Sequence, residues 1–453
     1  MNIIIVGGGK VGTEIISALS PEGHNIALVD KNQRVLDEVS EDYDILSVCG
    51  SGVITSTLEQ AGIAECDLLI ATTNMDEVNA LACVIARKMG ARGTIARIRD
   101  PELNSQVLFM REKLGVSMMV NPEYSTAREI SRILRIPSAT HVESFAKGRI
   151  DMVEFTVPAG SILDNMALRD MPSKLSARVI VCAVQRSGTD DAVIPDGNFV
   201  LHAGDRVHIC ASHAEISSFF RQIGLIKNKI RKVMLIGGGK IAYYLSKMLV
   251  DSGMNVKIIE QNHDRCIELA RVLPKVRIIN GNGAMQDLLL DEGVSDMDAC
   301  VTLTNMDEDN IITSMFARMQ GTPKVITKVN SSDLRRMTFS VGLDSCVSPK
   351  ELTADMILSY VRAIKETAGG VMKSMYKLVD GKVEAMEFLA TSDGHVTGVP
   401  LAKLKFKSNL LIAGIFRDGK IIFPNGNDVI YPGDVVIVVT LNRFLTSLDQ
   451  ILA

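Results

Sequence analysis

One series of short stretches occurs twice in this chain, and no other feature narrows its fold as far. The apolar run Asn2-Ile3-Ile4-Ile5-Val6 leads into Gly7-Gly8-Gly9-Lys10-Val11-Gly12. Lys232-Val233-Met234-Leu235-Ile236 leads in the same way into Gly237-Gly238-Gly239-Lys240-Ile241-Ala242. Asp30 closes the run Ile26-Ala27-Leu28-Val29, and Glu260 closes Val256-Lys257-Ile258-Ile259. Thr73-Asn74-Met75-Asp76-Glu77 returns as Thr304-Asn305-Met306-Asp307-Glu308, and Asn79 returns as Asn310. Ile95-Ala96-Arg97-Ile98 returns as Ile326-Thr327-Lys328-Val329. A series repeated in this order means two copies of one folding unit.

Each copy begins with a β-favouring run followed at once by a glycine turn, which reads as a buried parallel strand feeding a helix. The first turn fits G-x-G-x-x-G. Gly7 allows the tight turn, Gly9 lets the backbone approach a pyrophosphate, and Gly12 lets the helix pack closely on its strand. The start of the helix offers unpaired N–H groups and a positive dipole end to phosphate. Asp30 stands where a carboxylate meets a ribose 2′-hydroxyl, and Glu260 stands in the same place in the second copy.

Within the first copy, strands and helices alternate. Ile45–Val48, Leu68–Ala71, Thr94–Arg97 and Met118–Val120 read as strands. Glu77–Lys88 reads as a helix, with Val78, Leu81, Ala82, Ile85 and Met89 at the 3.6 period. Such alternation predicts a doubly wound parallel sheet that gathers binding groups at the carboxyl ends of its strands. Gly7 to Gly12, Asp30, Gly50-Ser51-Gly52, Thr73-Asn74 and Arg97 all fall at such ends.

Several of these residues have two readings. Lys10 and Lys240 can reach phosphate oxygens or stay solvated at a helix start, although cations are disfavoured there. Arg97 and Lys328 aim at the crevice as ligand groups or form surface ion pairs. Thr73-Asn74 and Thr304-Asn305 suit helix caps and ligand contacts alike.

After Pro122 the pattern changes. Glu123–Leu134 and Lys350–Ile364 read as amphipathic helices. From about His141 the chain turns strand-rich, with a hairpin over Phe145–Ile150 and strands near Met152–Val157, Val179–Val184 and Arg206–Cys210. Ile194-Pro195-Asp196-Gly197-Asn198 returns as Phe423-Pro424-Asn425-Gly426-Asn427. Helical segments over Ala214–Ile223 and Arg443–Leu452 are expected to end the two small domains. The basic stretch Lys227–Lys232 is read as a solvated linker, so the order along the chain is A–B–A′–B′.

Composition removes several classes of function. A net charge of −4 leaves nothing pointing to nucleic acid, and no apolar run approaches the roughly 18–20 residues that span a bilayer. Met1 to Gly12 carries no basic region or cleavage pattern and reads as strand and loop. The eight cysteines include no C-x-x-C pair, and Cys83, Cys182, Cys210 and Cys300 read as buried free thiols. The seven histidines form no metal spacing, and no nucleophile–base arrangement is evident. Domains B and B′ are too small to enclose a hydride-transfer site, so an enzyme is not expected.

With these stretches, the chain closely resembles the regulatory proteins of Trk-type potassium-uptake systems, which carry tandem RCK (KTN) domains. The resemblance covers essentially the whole chain in the order RCK-N, RCK-C, RCK-N, RCK-C. It implies two Rossmann-like domains, at 1–124 and 231–350, and two small β-rich α+β regulatory domains, at 139–223 and 368–453. It also implies a cytosolic subunit, peripheral on the inner face of the membrane, that binds NAD(H) and in some members ATP or ADP. Its partner would be a membrane-embedded potassium-translocating subunit, and it would assemble as a ring, with a homotetramer supplying eight RCK domains. Carried over by position, the first site comprises Gly7, Gly8, Gly9, Lys10, Val11, Asp30, Thr73, Asn74 and Arg97. The second comprises Gly237, Gly238, Gly239, Lys240, Ile241, Glu260, Thr304, Asn305 and Lys328. The chain departs from the family where Ser51 and Asn282 stand in place of an acidic residue and where Ala242 replaces a glycine. A nicotinamide-dependent oxidoreductase and a nucleotide sensor with a non-membrane partner are the alternatives.

Overall fold

The computed structural model describes residues 1–189, 191–225, 229–343, 345–364, 370–379 and 381–453. The chain gathers into two compact units, one of Met1–Ser131 with Arg231–Leu358, the other of Arg132–Ile230 with Ser359–Ala453. Each unit takes one segment from either copy of the repeat, so like packs with like.

In the first unit, the N-terminal copy forms a parallel sheet of β1 (Asn2–Val6), β2 (Asn25–Asp30), β3 (Leu46–Cys49), β4 (Leu68–Ala71), β5 (Gly93–Arg97) and β6 (Met118–Val120). Strand order is β3-β2-β1-β4-β5-β6, so the chain reverses its direction of growth beside β1. That reversal opens a crevice above the carboxyl ends of β1 and β4. All four residues of β4 are buried, as befits a strand covered on both faces. The connecting helices are α1 (Lys10–Leu19), α2 (Gln33–Asp42), α3 (Thr55–Gln60), α4 (Asp76–Lys88), α5 (Pro101–Ser105), α6 (Val107–Leu114) and α7 (Pro122–Arg135). On α4 the fully buried stripe is Asn79, Ala82, Cys83 and Ala86, whereas Leu81, expected on it, is half exposed. The stripe centres on Ala82 and Cys83, which turns Leu81 away by about 100°.

The second copy repeats this plan. Its strands are Lys232–Ile236, Asn255–Glu260, Arg277–Asn280, Ala299–Thr302, Lys324–Lys328 and Cys346–Val347, in the same spatial order. The two copies meet through reciprocal contacts, the first helix of each touching the region after the sixth strand of the other. Lys350 Nζ lies 2.7 Å from Glu14 Oε2 on α1. Across the seam Tyr244, which corresponds to Glu14, accepts a hydrogen bond from Asn121 Nδ2 at 3.1 Å and donates to the Arg99 carbonyl at 3.2 Å. Its ring stands edge-on to Tyr124.

The second unit holds two antiparallel five-stranded sheets of matching topology. One contains His141–Phe145, Ile150–Thr156, Ile180–Gln185, Ala192–Val193 and Arg206–Ala211. The other contains Gly370–Leu378, Val383–Ala390, Leu410–Arg417, Lys420–Ile422 and Val435–Thr440. They share one core that includes Phe145, Met152, Cys182, Val383 and Ile437. Glu154 and Glu384 are buried acids on the second strands of the two sheets, each held by its own partners. Arg206 and His208 hold Glu154 well below the usual carboxylate range against the opposing effect of burial. Arg362 meets Glu384 through both nitrogens, at 2.8 and 3.0 Å.

Two expectations change here. The helix expected over Arg443–Leu452 is only a 3-10 turn, Leu448–Ile451. Phe444 has φ +68°, a left-handed conformation that stops a helix before it starts. Of the expected linker, Lys227 and Asn228 lie outside the described residues, Ile230 is buried, and Lys232 already opens a strand. No helix among the described residues is long and apolar enough to cross a membrane.

Candidate functional site

The glycines divide by what lies in front of them. Gly7 adopts φ +103°, and a side chain there would also stand 2.9 Å from the Thr73 amide. Gly8 faces Val35 at 2.6 Å. At Gly12 an added methyl would lie 1.9 Å from the Gly7 carbonyl oxygen, so this crossing of helix and loop admits only glycine. Gly9 is different, because nothing lies within 4 Å of where its side chain would be, and the same holds for Gly239. These two faces are open, as the approach of a phosphate requires. Neither α1 nor the helix Lys240–Asp251 has a side-chain cap or an acidic residue in its first turn. By contrast, α4 and its counterpart carry Asp76 and Glu77, and Asp307, Glu308 and Asp309, in their first turns.

The second loop is not a copy of the first. Ala242 is fully buried where Gly12 has no room for a methyl, so helix and loop stand farther apart there. In the first copy the Thr72 hydroxyl also donates to the Gly7 carbonyl at 3.1 Å, whereas Leu303 follows the fourth strand of the second copy.

The acids at the ends of the second strands close the loops in both copies. Asp30 accepts from the Gly8 amide at 2.7 Å and the Asn32 amide at 2.8 Å. Glu260 accepts from Gly238 and Asn262, each at 2.7 Å. The recurring Thr-Asn-Met-Asp-Glu stretch has a structural share too. Asn79 accepts from the Thr73 amide at 2.8 Å and donates to the carbonyls of Thr73 and Arg97 at 3.1 and 2.9 Å. Asn310 repeats this clamp with Thr304 and Lys328. The Thr73 and Thr304 hydroxyls turn inward to these asparagines at 2.7 Å. Asp76 and Asp307 accept backbone amides from the residues after the fifth strands.

Both loops open on one cleft of about 910 Å³ within the first unit. From the first copy it is lined by Gly7, Gly9, Lys10, Val11, Asp30, Thr73, Asn74 and Arg97, together with Gly50, Ser51 and Gly52. The second copy contributes Gly239, Lys240, Ile241, Asn305 and Lys328. Gly8, Gly237, Gly238, Glu260 and Thr304 are not on its wall, so the expected first site is brought together more fully than the second. Outside the expected site positions, the cleft is also lined by the polar and charged residues Lys31, Thr72, Arg99, Glu123, Asn330 and Lys350. A signal for two of them was present, since Glu123 and Lys350 follow Pro122 and Pro349 at equivalent positions with opposite charge.

Among the described residues seven basic side chains and two carboxylates line this cleft, in a chain whose net charge is −4. Most of the cations have partners. Arg97 lies 3.6 Å from Glu123, Arg99 pairs with Asp76 at 3.3 Å, and Lys240 lies 3.9 Å from Asp100. Burial pulls the Arg97 guanidinium below its ordinary value, and Glu123 opposes this. Even so, Arg97 Nε and Glu123 Oε2 are buried without hydrogen-bond partners. Burial likewise lowers Lys328, with Asp307 and Glu123 raising it and Lys10 lowering it further. Cys83 and Cys300 lie buried in the two sheets' helical and strand layers with thiols pushed up to about 12, which makes them inert.

Fold and cleft together define a duplicated Rossmann-class protein with an anion-receptive cleft between its copies. Residues 3–122 and 233–349 match the TrkA-N domain, and residues 152–224 and 385–443 match the TrkA-C domain. The chain belongs to the TrkA family of Trk-system potassium-uptake proteins. It is 32% identical to Trk system potassium uptake protein TrkA homolog 1 of Methanosarcina mazei, over 99% of both chains. It is 31% identical to Trk system potassium uptake protein TrkA of Halomonas elongata, over 98% of this chain and 96% of that one. Among solved structures it resembles the GsuK channel bound to NAD, with a TM-score of 0.64 over 97% of this chain and 76% of that one. The crystal structure of the GsuK RCK domain matches equally well, over 97% and 92%. Both are 16% identical, so this likeness is one of fold.

Proposed function

We propose that this chain is the cytosolic regulatory subunit of a Trk-type potassium-uptake system, binding NAD(H) and adenine nucleotides to control a membrane-embedded, potassium-translocating partner. The observation that carries this reading is the open face of Gly9 above an uncapped helix start, beside Asp30 and a cationic cleft. The helix N-terminus and Lys10 suit a pyrophosphate, and Asp30 keeps outward lone pairs for ribose hydroxyls. A carboxylate there repels a 2′-phosphate, so NAD(H) is preferred to NADP(H).

The first site comprises Gly7 through Val11, Asp30, Thr73, Asn74 and Arg97; Asn79 holds the amide, carbonyl and hydroxyl of Thr73, so that residue serves the site by shaping the strand tip. The second comprises Gly237 through Ile241, Glu260, Thr304, Asn305 and Lys328, and is the weaker of the two. The Rossmann-like domains run over 1–124 and 231–350 and the small domains over 139–223 and 368–453. Four chains form a ring on the inner face of the membrane. Nucleotide acts by population shift, moving the assembly only as far as its affinities for two arrangements differ. The cofactor acts as a ligand and not as a reactant, in keeping with small domains that do not enclose a hydride-transfer site.

Potassium flux through the partner, reconstituted with the intact chain, tests this reading. NADH should alter the flux, and Gly9→Val should abolish that response without preventing association, because the added side chain meets open space and not protein. An unchanged response in Gly9→Val, or steady NADH oxidation by the pure chain with a carbonyl substrate, would sink it.

A further inference from the structure

Lys328 ends the fifth strand of the second copy and was expected to serve that copy's own loop. It is 6% exposed, and its ammonium group has no hydrogen bond or ion pair among the described residues. The ammonium keeps contact with solvent at the cleft, but a largely buried cation without an ion pair favours an anion beside it. The group opens on the cleft, and its electrostatic neighbours include Lys10 and Glu123, both from the first copy. Its own copy's nearby carboxylate, Asp307, is already engaged with the amides of Asn330 and Ser331.

The arrangement runs one way. Arg97, the counterpart of Lys328, has Glu123 from its own copy at 3.6 Å. Lys328 has no such partner, because the residue equivalent to Glu123 is Lys350, which turns to Glu14. Glu260, which would mark the second copy's ligand, is off the cleft, whereas Gly9, Lys10 and Asp30 are on it.

We propose that Lys328 serves the first glycine loop across the seam, contacting an anionic phosphate group of the nucleotide held at Gly9, so that this ligand bridges the two copies while a ligand at Gly239 does not. The inference rests on the nucleotide reading above, moves Lys328 from the second site to the first, and adds to that reading the direction of the coupling. A phosphate reaching Lys328 replaces its missing partner, so part of the ligand's binding energy comes from relieving a cost already present in the folded chain.

Calorimetric titration of the full chain with ADP and with NADH tests it, using two backgrounds that each retain one loop. In Gly239→Val, where only the first loop is open, Lys328→Met should weaken ADP binding about tenfold, the loss of one charge-assisted contact. Lys328→Arg should restore most of it. In Gly9→Val, where only the second loop is open, Lys328→Met should leave binding unchanged. Loss confined to the Gly9→Val background would return Lys328 to its own copy and overturn the proposal, as would no loss in either. Failure of the unaltered chain to bind either nucleotide would overturn the nucleotide reading itself, a result distinct from both. Methionine keeps the aliphatic volume, and thermal unfolding of each variant checks that the fold persists.

Discussion

Asn79 and Asn310 each tie the tip of a fourth strand to the tip of a fifth, and both are fully buried. Replacing either by alanine leaves an amide and two carbonyls short of a partner. Asn79→Ala and Asn310→Ala should each lower unfolding free energy by ~2–3 kcal/mol in denaturant titrations, and a loss below about 0.5 kcal/mol would refute the clamp. Lys328 works in the opposite sense. Its pKa is lowered by burial, so the cost of its charge is fully present below that depressed value and is relieved as pH climbs toward the ordinary value of about 10.4. Without ligand, Lys328→Met should therefore stabilise the chain at neutral pH by ~1 kcal/mol, with the advantage shrinking in alkaline buffer. A methionine variant less stable at neutral pH would contradict this account.

At the scale of elements, the first helices of the two copies report how much room each loop leaves. Gly12→Ala forces a methyl against the Gly7 carbonyl and should distort the loop, costing ~2 kcal/mol or more and abolishing nucleotide binding at the first loop. Ala242→Gly, which only removes a methyl, should cost no more than about 1 kcal/mol, chiefly helix propensity. Equal effects in melting experiments would show the loops to be interchangeable. Much of this was legible in the sequence, because a glycine turn, a strand-terminal acid and a basic strand end are fixed by local spacing. Glu123 and Lys350 left only the trace of opposite charges after equivalent prolines, which does not by itself point to a site. A charge after proline reads as an ordinary helix start, and its meaning here depends on a helix from the other copy. Leu81 was misplaced because a stripe of small residues gives a weaker period than leucine does. Arg443–Leu452 was read as helix because no local signal announces the left-handed backbone at Phe444.

For the whole molecule, charge is distributed against the average: the chain is acidic overall, yet its cleft is strongly basic. Nucleotide binding should weaken as potassium chloride is raised several-fold, since the cations that favour it are partly solvated. The two loops should also give unequal affinities by calorimetry, with the first the tighter, because only there do Asp30 and the open loop face share the cleft. Two equal, salt-insensitive sites would remove this view of the cleft. The reciprocal seam carries a further consequence. Two identical subunits meeting around a twofold axis must place every residue on both sides, so no position can differ from its mate. Covalent duplication lifts that restriction. Glu14 can face a lysine while its mate, Tyr244, is held by an amide and a carbonyl, and Glu123 can neutralise one strand end while Lys350 leaves the other bare. A tandem chain can thus encode a polarity, a sending side and a receiving side, that a symmetric dimer of the same fold has no means to write down.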